Sequence, residues 1–168
     1  MKKAFKIATL LLPLLPLLLA ACANMGGPPP QPGDTRAAIE ARLGAPTNVY
    51  QLPEGPELEY AHGPYGQVTY MARFGPDQRL MSFEQVLDTQ GFAKVRIGMS
   101  TRQDVLHLLG RPTETSYLAL PKLYVWSYRY KESGVWDSMM HVHFDQAGIV
   151  RQMMNGPDPD KEERRFFW

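Results

Sequence analysis

The chain has one thiol, Cys22, and four imidazoles, and any covalent or metal chemistry would have to be built from these. A lone cysteine makes no internal disulfide. Cys22 directly follows Leu19-Ala20-Ala21, at the end of an apolar run from Ala8 to Leu19 that is broken only by Thr9, Pro13 and Pro16 and preceded by Lys2 and Lys3. Basic residues, an apolar core and small residues before a cleavage point have the layout of a secretory signal. Two prolines inside that core argue against a membrane-spanning helix, which needs about 20 apolar residues. A catalytic thiol would need a base held beside it, and the Pro-rich stretch that follows offers nothing to orient one.

His141 and His143 lie two apart, so a strand would place both rings on one face. With His62 or His107 they could be imagined around a metal. No histidine-glutamate helix pair, second thiol or acidic partner at ligand spacing accompanies them. No Gly-x-Ser-x-Gly elbow and no phosphate-cradling glycine loop is present either. The expectation is a chain that is not an enzyme and uses no metal or cofactor. The charge excludes another class. The sequence carries 18 basic and 17 acidic residues. Loss of residues 1–21 removes Lys2, Lys3 and Lys6 and leaves 15 against 17, with no basic excess for nucleic acid.

The placing of cysteine after a small pair resembles the lipobox of bacterial lipoproteins. The resemblance implies that Cys22 is the lipidation site: its thiol receives a diacylglycerol, the peptide is cut before it, and its new amino group is acylated. Three acyl chains anchor far more firmly than one reversible chain. By resemblance to sorting in Gram-negative bacteria, the absence of Asp at position 23 implies the outer membrane, with the protein on the periplasmic face. Residues 22–33 then form a lipidated tether, since Gly26-Gly27 and Pro28-Pro29-Pro30-Gln31-Pro32 favour an extended, solvated chain. A PxxP recognition ligand is the alternative reading of that stretch.

The elements beyond the tether come as an internal repeat. Thr35 to Thr47 aligns with Thr101 to Thr113 at an offset of 66, with 6 of 13 positions identical. Tyr60 then matches Tyr128 at offset 68, and Phe74 matches Phe144 at offset 70. Offsets that grow in steps of two are what loop insertions produce. Each copy starts with a short helix. In the first, Asp34 or Thr35 caps a turn with Ile39 and Leu43 on one face; in the second, Ser100 or Thr101 caps, and Asp104 completes a capping box. Gly44 and Gly110 end the two helices, and Pro46 and Pro112 prevent their resumption.

Strands are predicted next, over Leu58 to His62, Gln67 to Phe74 and Arg79 to Leu87, then Tyr124 to Lys131, Ser138 to Phe144 and Ile149 to Met154. Tyr124, Trp126, Tyr128 and Tyr130 give the second unit an aromatic face, and Thr89 to Val95 begins an extra helix for it. The expected fold class is α+β, with two tandem units, each of one or two short helices packed on a three-stranded antiparallel sheet. Their bounds are 34–87 and 88–156, followed by a charged tail with an aromatic tip over 157–168.

Ile97-Gly98-Met99-Ser100-Thr101, Asp104-Val105, Leu108-Leu109-Gly110-Arg111-Pro112, Val125-Trp126-Ser127-Tyr128 and Phe144-Asp145-x-x-Gly148-x-Val150 together resemble the SmpA/OmlA (BamE-like) outer-membrane lipoproteins. The resemblance implies the fold of β-lactamase inhibitor protein. It covers Thr89 to Met154 well and Asp34 to Leu87 in degenerate form, without Gly-Met-Ser or the first helix. The motif reads as structural: Gly98, Met99, Gly110, Pro112 and Gly148 shape joints, caps and turns, while Val105, Leu109, Trp126 and Phe144 pack helix on sheet. A sheet with helices on one side leaves its other face for other proteins.

Tyr65, Tyr70, Tyr117, Tyr124 and Trp136 are the candidate interaction side chains, because Tyr and Trp concentrate binding energy at interfaces. Phe166, Phe167 and Trp168 join them, since an apolar tip is disfavoured in water unless it docks on the chain's own core or on a partner. The reading that results is a non-catalytic outer-membrane lipoprotein, a periplasmic scaffold in outer-membrane protein assembly or envelope maintenance. Its partners are the membrane, through the anchor, and envelope proteins such as barrel-assembly components. The alternative is an inhibitor or binding module that captures an enzyme or envelope ligand on its tandem sheet.

Overall fold

The computed structural model describes residues 28–62 and 66–162, so Cys22, Tyr65 and the Phe166-Phe167-Trp168 tip lie outside the described residues. The first unit runs α1 (Arg36–Leu43), β1 (Asn48–Leu52), β2 (Gly55–Ala61), β3 (Thr69–Phe74) and β4 (Leu80–Gln85). The second runs α2 (Thr89–Ala93), α3 (Arg102–Leu109), β5 (Glu114–Leu118), β6 (Leu123–Glu132), β7 (Trp136–Phe144) and β8 (Val150–Pro157), and a last turn, α4 (Pro159–Glu162), follows. Each unit holds one antiparallel meander, in order β1-β2-β3-β4 and β5-β6-β7-β8.

Each sheet therefore has four strands where the sequence predicts three. The additional strands are β1 and β5, which follow the helix-ending prolines and sit at sheet edges. Every residue of β5 is exposed, so it lacks the buried alternation that marks a strand in sequence. The repeat itself reaches down to single hydrogen bonds. Thr35 bridges Arg79 as Thr101 bridges Ile149, Leu80 N–H donates to Asp34 O as Val150 N–H donates to Ser100 O, and both sheets shift register just before their matched phenylalanines, Phe74 and Phe144.

The helices form where the caps dictate. Thr35 Oγ1 accepts from Ala38 N–H, and Thr101 Oγ1 accepts from Asp104 N–H while the Asp104 carboxylate accepts from Thr101 N–H, a complete capping box. Gly44 and Gly110 close these helices at φ of +85° and +79°, a backbone region where side chains with a Cβ are strained. Thr101→Ala removes one acceptor and half of the reciprocal pair, and is expected to cost about 1 kcal/mol, seen as a lower midpoint in urea unfolding with an unchanged slope. An unchanged midpoint would show that tertiary packing alone holds α3.

Period-two alternation gives each sheet two faces, and the helices sort themselves among them. Ile39 of α1 packs with Leu58, Tyr60, Ala72, Phe74 and Leu80 on one face of the first sheet. The larger core joins Val105 and Leu109 of α3 and Phe92 of α2 to Tyr128, Tyr130, Val142 and Phe144 of the second sheet, and it also takes Met71, Val86 and Leu87 from the first. The layers thus run α1, first sheet, α2 with α3, second sheet. This corrects the expectation of a free face on each unit: the second unit's own helices cover the first sheet, and among the described residues α1, α2 and α3 leave one face of the second sheet uncovered.

Polar residues complete the junction between the units. Glu57 and Glu59 alternate with Leu58 along β2, and both are buried. Glu57 pairs with Arg73 Nε at 2.6 Å and with His107 Nδ1 of α3 at 2.9 Å. Glu59 accepts from Tyr50 Oη at 2.6 Å and from the Arg111 N–H at 3.2 Å. Buried carboxylates are tolerated only with such partners. Burial and the Glu59 carboxylate also push the Tyr50 phenol well above its ordinary range.

Candidate interaction surface

The end of the second unit where α3 begins gathers side chains that the core does not use. Gly98, at φ +80°, turns the chain so that its N–H donates to Val150 O. This turn leaves Ile97 and Met99 exposed on either side. Arg102, the first residue of α3, lays its guanidinium 4.4 Å from the ring centre of Tyr124 and 5.7 Å from that of Phe144. Such cation–π contacts hold an arginine in place while leaving its outer edge available. Gly148, at φ +81°, makes the adjoining turn, and the Arg102 N–H donates to its carbonyl.

Tyr117 of β5 and Tyr124 of β6 are paired across the strands with ring centres 4.9 Å apart, and both are exposed. With Arg102, Thr115, Ser116 and Trp126 they line an open hollow of about 470 Å³. Trp126 forms its floor, half-buried with its ring against Phe144 at 4.8 Å. Leu118 is exposed beside it, and Leu120, at the tip of the hairpin, is 98 % exposed. An apolar cluster around aromatic anchors, a cation and an unpaired sheet edge has the make-up of a protein-docking surface.

The other sequence candidates fall elsewhere. Tyr70 is half-buried in the first unit, stacked on Phe83 at 4.9 Å, and lines a separate hollow of about 410 Å³ with Tyr60, His62 and the tether residues Pro29 and Pro30. Trp136 is exposed at the opposite end of the second sheet from Tyr117 and Tyr124. The structure thus brings Tyr117 and Tyr124 together and leaves Tyr70 and Trp136 apart. Among the motif residues, Val105, Leu109 and Phe144 are fully buried and Met99 is exposed, whereas Gly98, Gly110 and Gly148 hold positive φ. Pro112 lies half-buried just past the α3 cap. Sequence reasoning missed Arg102, Ile97, Leu118 and Leu120. The apolar pair Leu118 and Leu120 in a hairpin was the signal available for two of them.

The two strand histidines have separate surroundings. His141 Nδ1 lies 2.8 Å from Ser127 Oγ, while His143 Nδ1 is buried and has no hydrogen-bond partner. Among the described residues, no three His, Cys, Asp or Glu side chains are grouped to hold a metal ion. Burial, and secondarily His141, holds the His143 pKa below its ordinary value of 6.5. Between that lowered value and 6.5 the unfolded chain binds more protons than the folded one, so stability present near neutrality is lost as pH falls through this range. The expected result is a urea midpoint lower at pH 5 than at pH 7.5, with a smaller drop for His143→Gln. An equal drop in both proteins would assign the acid sensitivity to groups other than His143; Asp104 and Asp145, held below the ordinary 3.8 by hydrogen bonds from backbone N–H groups, lose their contribution only at lower pH.

Residues 84–154 match the family profile described as the outer membrane protein assembly factor BamE domain. The match spans both helices of the second unit and β5 to β7 entire, ending within β8. No match was found among curated proteins. Among solved structures, the chain is similar to a DUF4309 family protein (YjgB) from Bacillus subtilis, at 13 % identity over 74 % of this chain and 79 % of that one, with a TM-score of 0.32.

Proposed function

We propose that this chain, whose second unit matches the BamE domain profile, is a non-catalytic lipoprotein. It is held by Cys22 on the periplasmic face of the outer membrane and serves as a docking scaffold in outer-membrane protein assembly. The family match over residues 84–154 is the observation that carries this reading. The geometry supports it in one further respect. The motif residues are spent on caps, turns and core, and the side chains they leave exposed, Ile97 and Met99, lie at the same end as the Arg102, Tyr117 and Tyr124 hollow. A scaffold needs such a surface on a rigid base. Within the stretch read from sequence as the tether, residues 28–33 are held on the first unit, where Arg42 Nη1 donates to Pro28 O at 2.6 Å and Gly33 N–H to Leu80 O at 2.8 Å.

A photocrosslinker placed at Leu120 or Tyr117 in intact cells tests the reading, with Cys22→Ser as the unanchored control. The expected result is capture of barrel-assembly proteins that is lost in the control. Capture of a soluble hydrolase, retained in the control, would replace the scaffold with an inhibitor. A crosslinker at Trp136, at the far end of the sheet, is expected to give no such product.

A further inference from the structure

The edges of the two sheets are guarded unequally. An edge strand offers a row of unpaired N–H and C=O groups, and natural proteins blunt it with Lys, Pro or a covering element. In β1 every second residue is half-buried, and Tyr50 packs against the larger core. In β4 Leu80 is buried, Ser82 to Gln85 are half-buried, and Glu84 is tied to Lys94. β8 buries Val150 and ends in Pro157. β5 alone is exposed at every residue, contains neither Lys nor Pro, and among the described residues has no strand partner besides β6. Its one charge, Glu114, is already paired with Arg129 at 2.8 Å.

Hydrogen bonding fixes which groups this edge presents. Ser127 O accepts from Thr113 N–H, so Ser127 turns its backbone toward β5. Backbone groups alternate between the two sides of a strand. Ser127 is opposite Glu114 and Val125 is opposite Ser116, so Glu114, Ser116 and Leu118 bond inward to β6, while Thr115 and Tyr117 present their N–H and C=O groups to solvent. The same two residues share a face with Trp126 and Tyr124, their register partners, and border the hollow. Arg102 in that hollow has no carboxylate partner among the described residues. Its guanidinium lies over Tyr124, and its Nη2 donates to the Asp145 carbonyl at 3.4 Å.

We propose that a partner docks here by adding an extended strand to β5, its backbone bonding to Thr115 and Tyr117, with an Asp or Glu side chain set in the hollow against Arg102. This mode of docking rests on the reading of this end as the interaction surface, and it names what the surface takes: an extended acidic segment of another protein. In strand addition the main-chain hydrogen bonds supply affinity, and pockets for alternate side chains supply specificity. An added strand lies about 4.8 Å beyond β5, and its side chains on the helix side flank Thr115 and Tyr117. A carboxylate crossing the Tyr117 ring meets a guanidinium that the Tyr124 ring already holds, so less side-chain freedom is lost on pairing. A second copy pairing through its own β5 supplies no such acid, because Glu114 is engaged by Arg129.

The test uses the full-length chain in intact cells, with the photocrosslinker at Leu120, and then amide hydrogen exchange on the purified crosslinked complex. The Thr115 and Tyr117 amides are expected to exchange fast in the free chain and about tenfold or more slowly in the complex, whereas Ser116, already bonded to β6, is slow in both. Unprotected Thr115 and Tyr117 in the complex, a second copy as the captured protein, or a captured segment without Asp or Glu would overturn the proposal. Thr115→Pro removes one outward N–H, a substitution that edge strands tolerate, and is expected to lower capture about tenfold, while Thr115→Ala keeps the N–H and the capture. Arg102→Gln is expected to lower capture about two- to fivefold. Equal capture by Thr115→Pro and the unsubstituted chain would overturn the proposal; if Thr115→Pro does not fold, the exchange pattern of the unsubstituted complex decides. Capture of a soluble hydrolase with Thr115 and Tyr117 protected would remove the assembly role and leave strand addition standing, whereas a barrel-assembly protein captured without that protection would do the reverse. No product at Leu120 overturns both.

Discussion

Replacing Arg129 by Ala is expected to destabilise the protein by about 3–5 kcal/mol, the range for breaking a buried ion pair from one side. The guanidinium is 3 % exposed and faces Asp158, Glu114 and Asp160. Burial works against its charge, and the carboxylates outweigh it, Asp158 foremost, so its pKa is raised. Removal would leave Asp158, which has no exposed surface, as a carboxylate without its guanidinium. The midpoint of urea unfolding should fall by roughly 2 M, given a slope of about 1–3 kcal/mol per M. Arg129→Met with Asp158→Asn removes both charges together and should recover much of the loss, because the larger cost lies in the orphaned charge and not in the absent pair. Equal losses in the single and double variants would mean that Arg129 acts through packing. The prediction has a local consequence too, since the same pair holds α4 at its place on the sheet.

The second large effect is expected at Phe144, where Phe144→Ala should cost about 3–5 kcal/mol through lost transfer energy and the cavity left behind. Phe144 is fully buried, with Trp126 against its edge, Arg102 above it and the register shift of β7 beside it. Little around it is free to collapse into the space. Because the same core includes Met71, Val86 and Leu87 of the first unit, the loss should appear in one cooperative transition reported alike by both units. Two separate transitions, with the first unit unaffected, would show that the junction contributes little. Tyr117→Ala is the counterpart: exposed at the hollow, it should change stability by less than about 0.5 kcal/mol. It should nevertheless weaken partner capture. The contrast separates residues that build the unit from residues that use it.

Much of the architecture was legible because the chain states it twice. Thr, Gly and Pro at the same places in both copies mark the helix starts and stops, and each mark is a local backbone requirement: an N-cap acceptor, a positive φ, a missing N–H. The edge strands were not legible. Glu114-Thr-Ser-Tyr-Leu118 is exposed throughout, and a strand defined by pairing along one side alone carries no hydrophobic alternation. The buried carboxylates were hidden for the opposite reason. Glu57 and Glu59 read as the solvent face of β2, and only the arrival of Arg73, His107, Tyr50 and Arg111 turns that face inward.

The candidate surface divides the same way. Aromatic residues were nominated by type, and type does not carry position: Tyr117 and Tyr124 meet at 4.9 Å, while Tyr70 stacks into the first unit and Trp136 stands at the far end. Local chemistry in the sequence by itself determined the helices, their caps, the repeat, the alternating strands and the motif by which the second unit resembles the BamE domain. Packing of one unit on the other decided the rest, because burial belongs to faces and not to residues. The tertiary structure set α2 and α3 between the two sheets, and made a core of Met71 and a junction of Glu57.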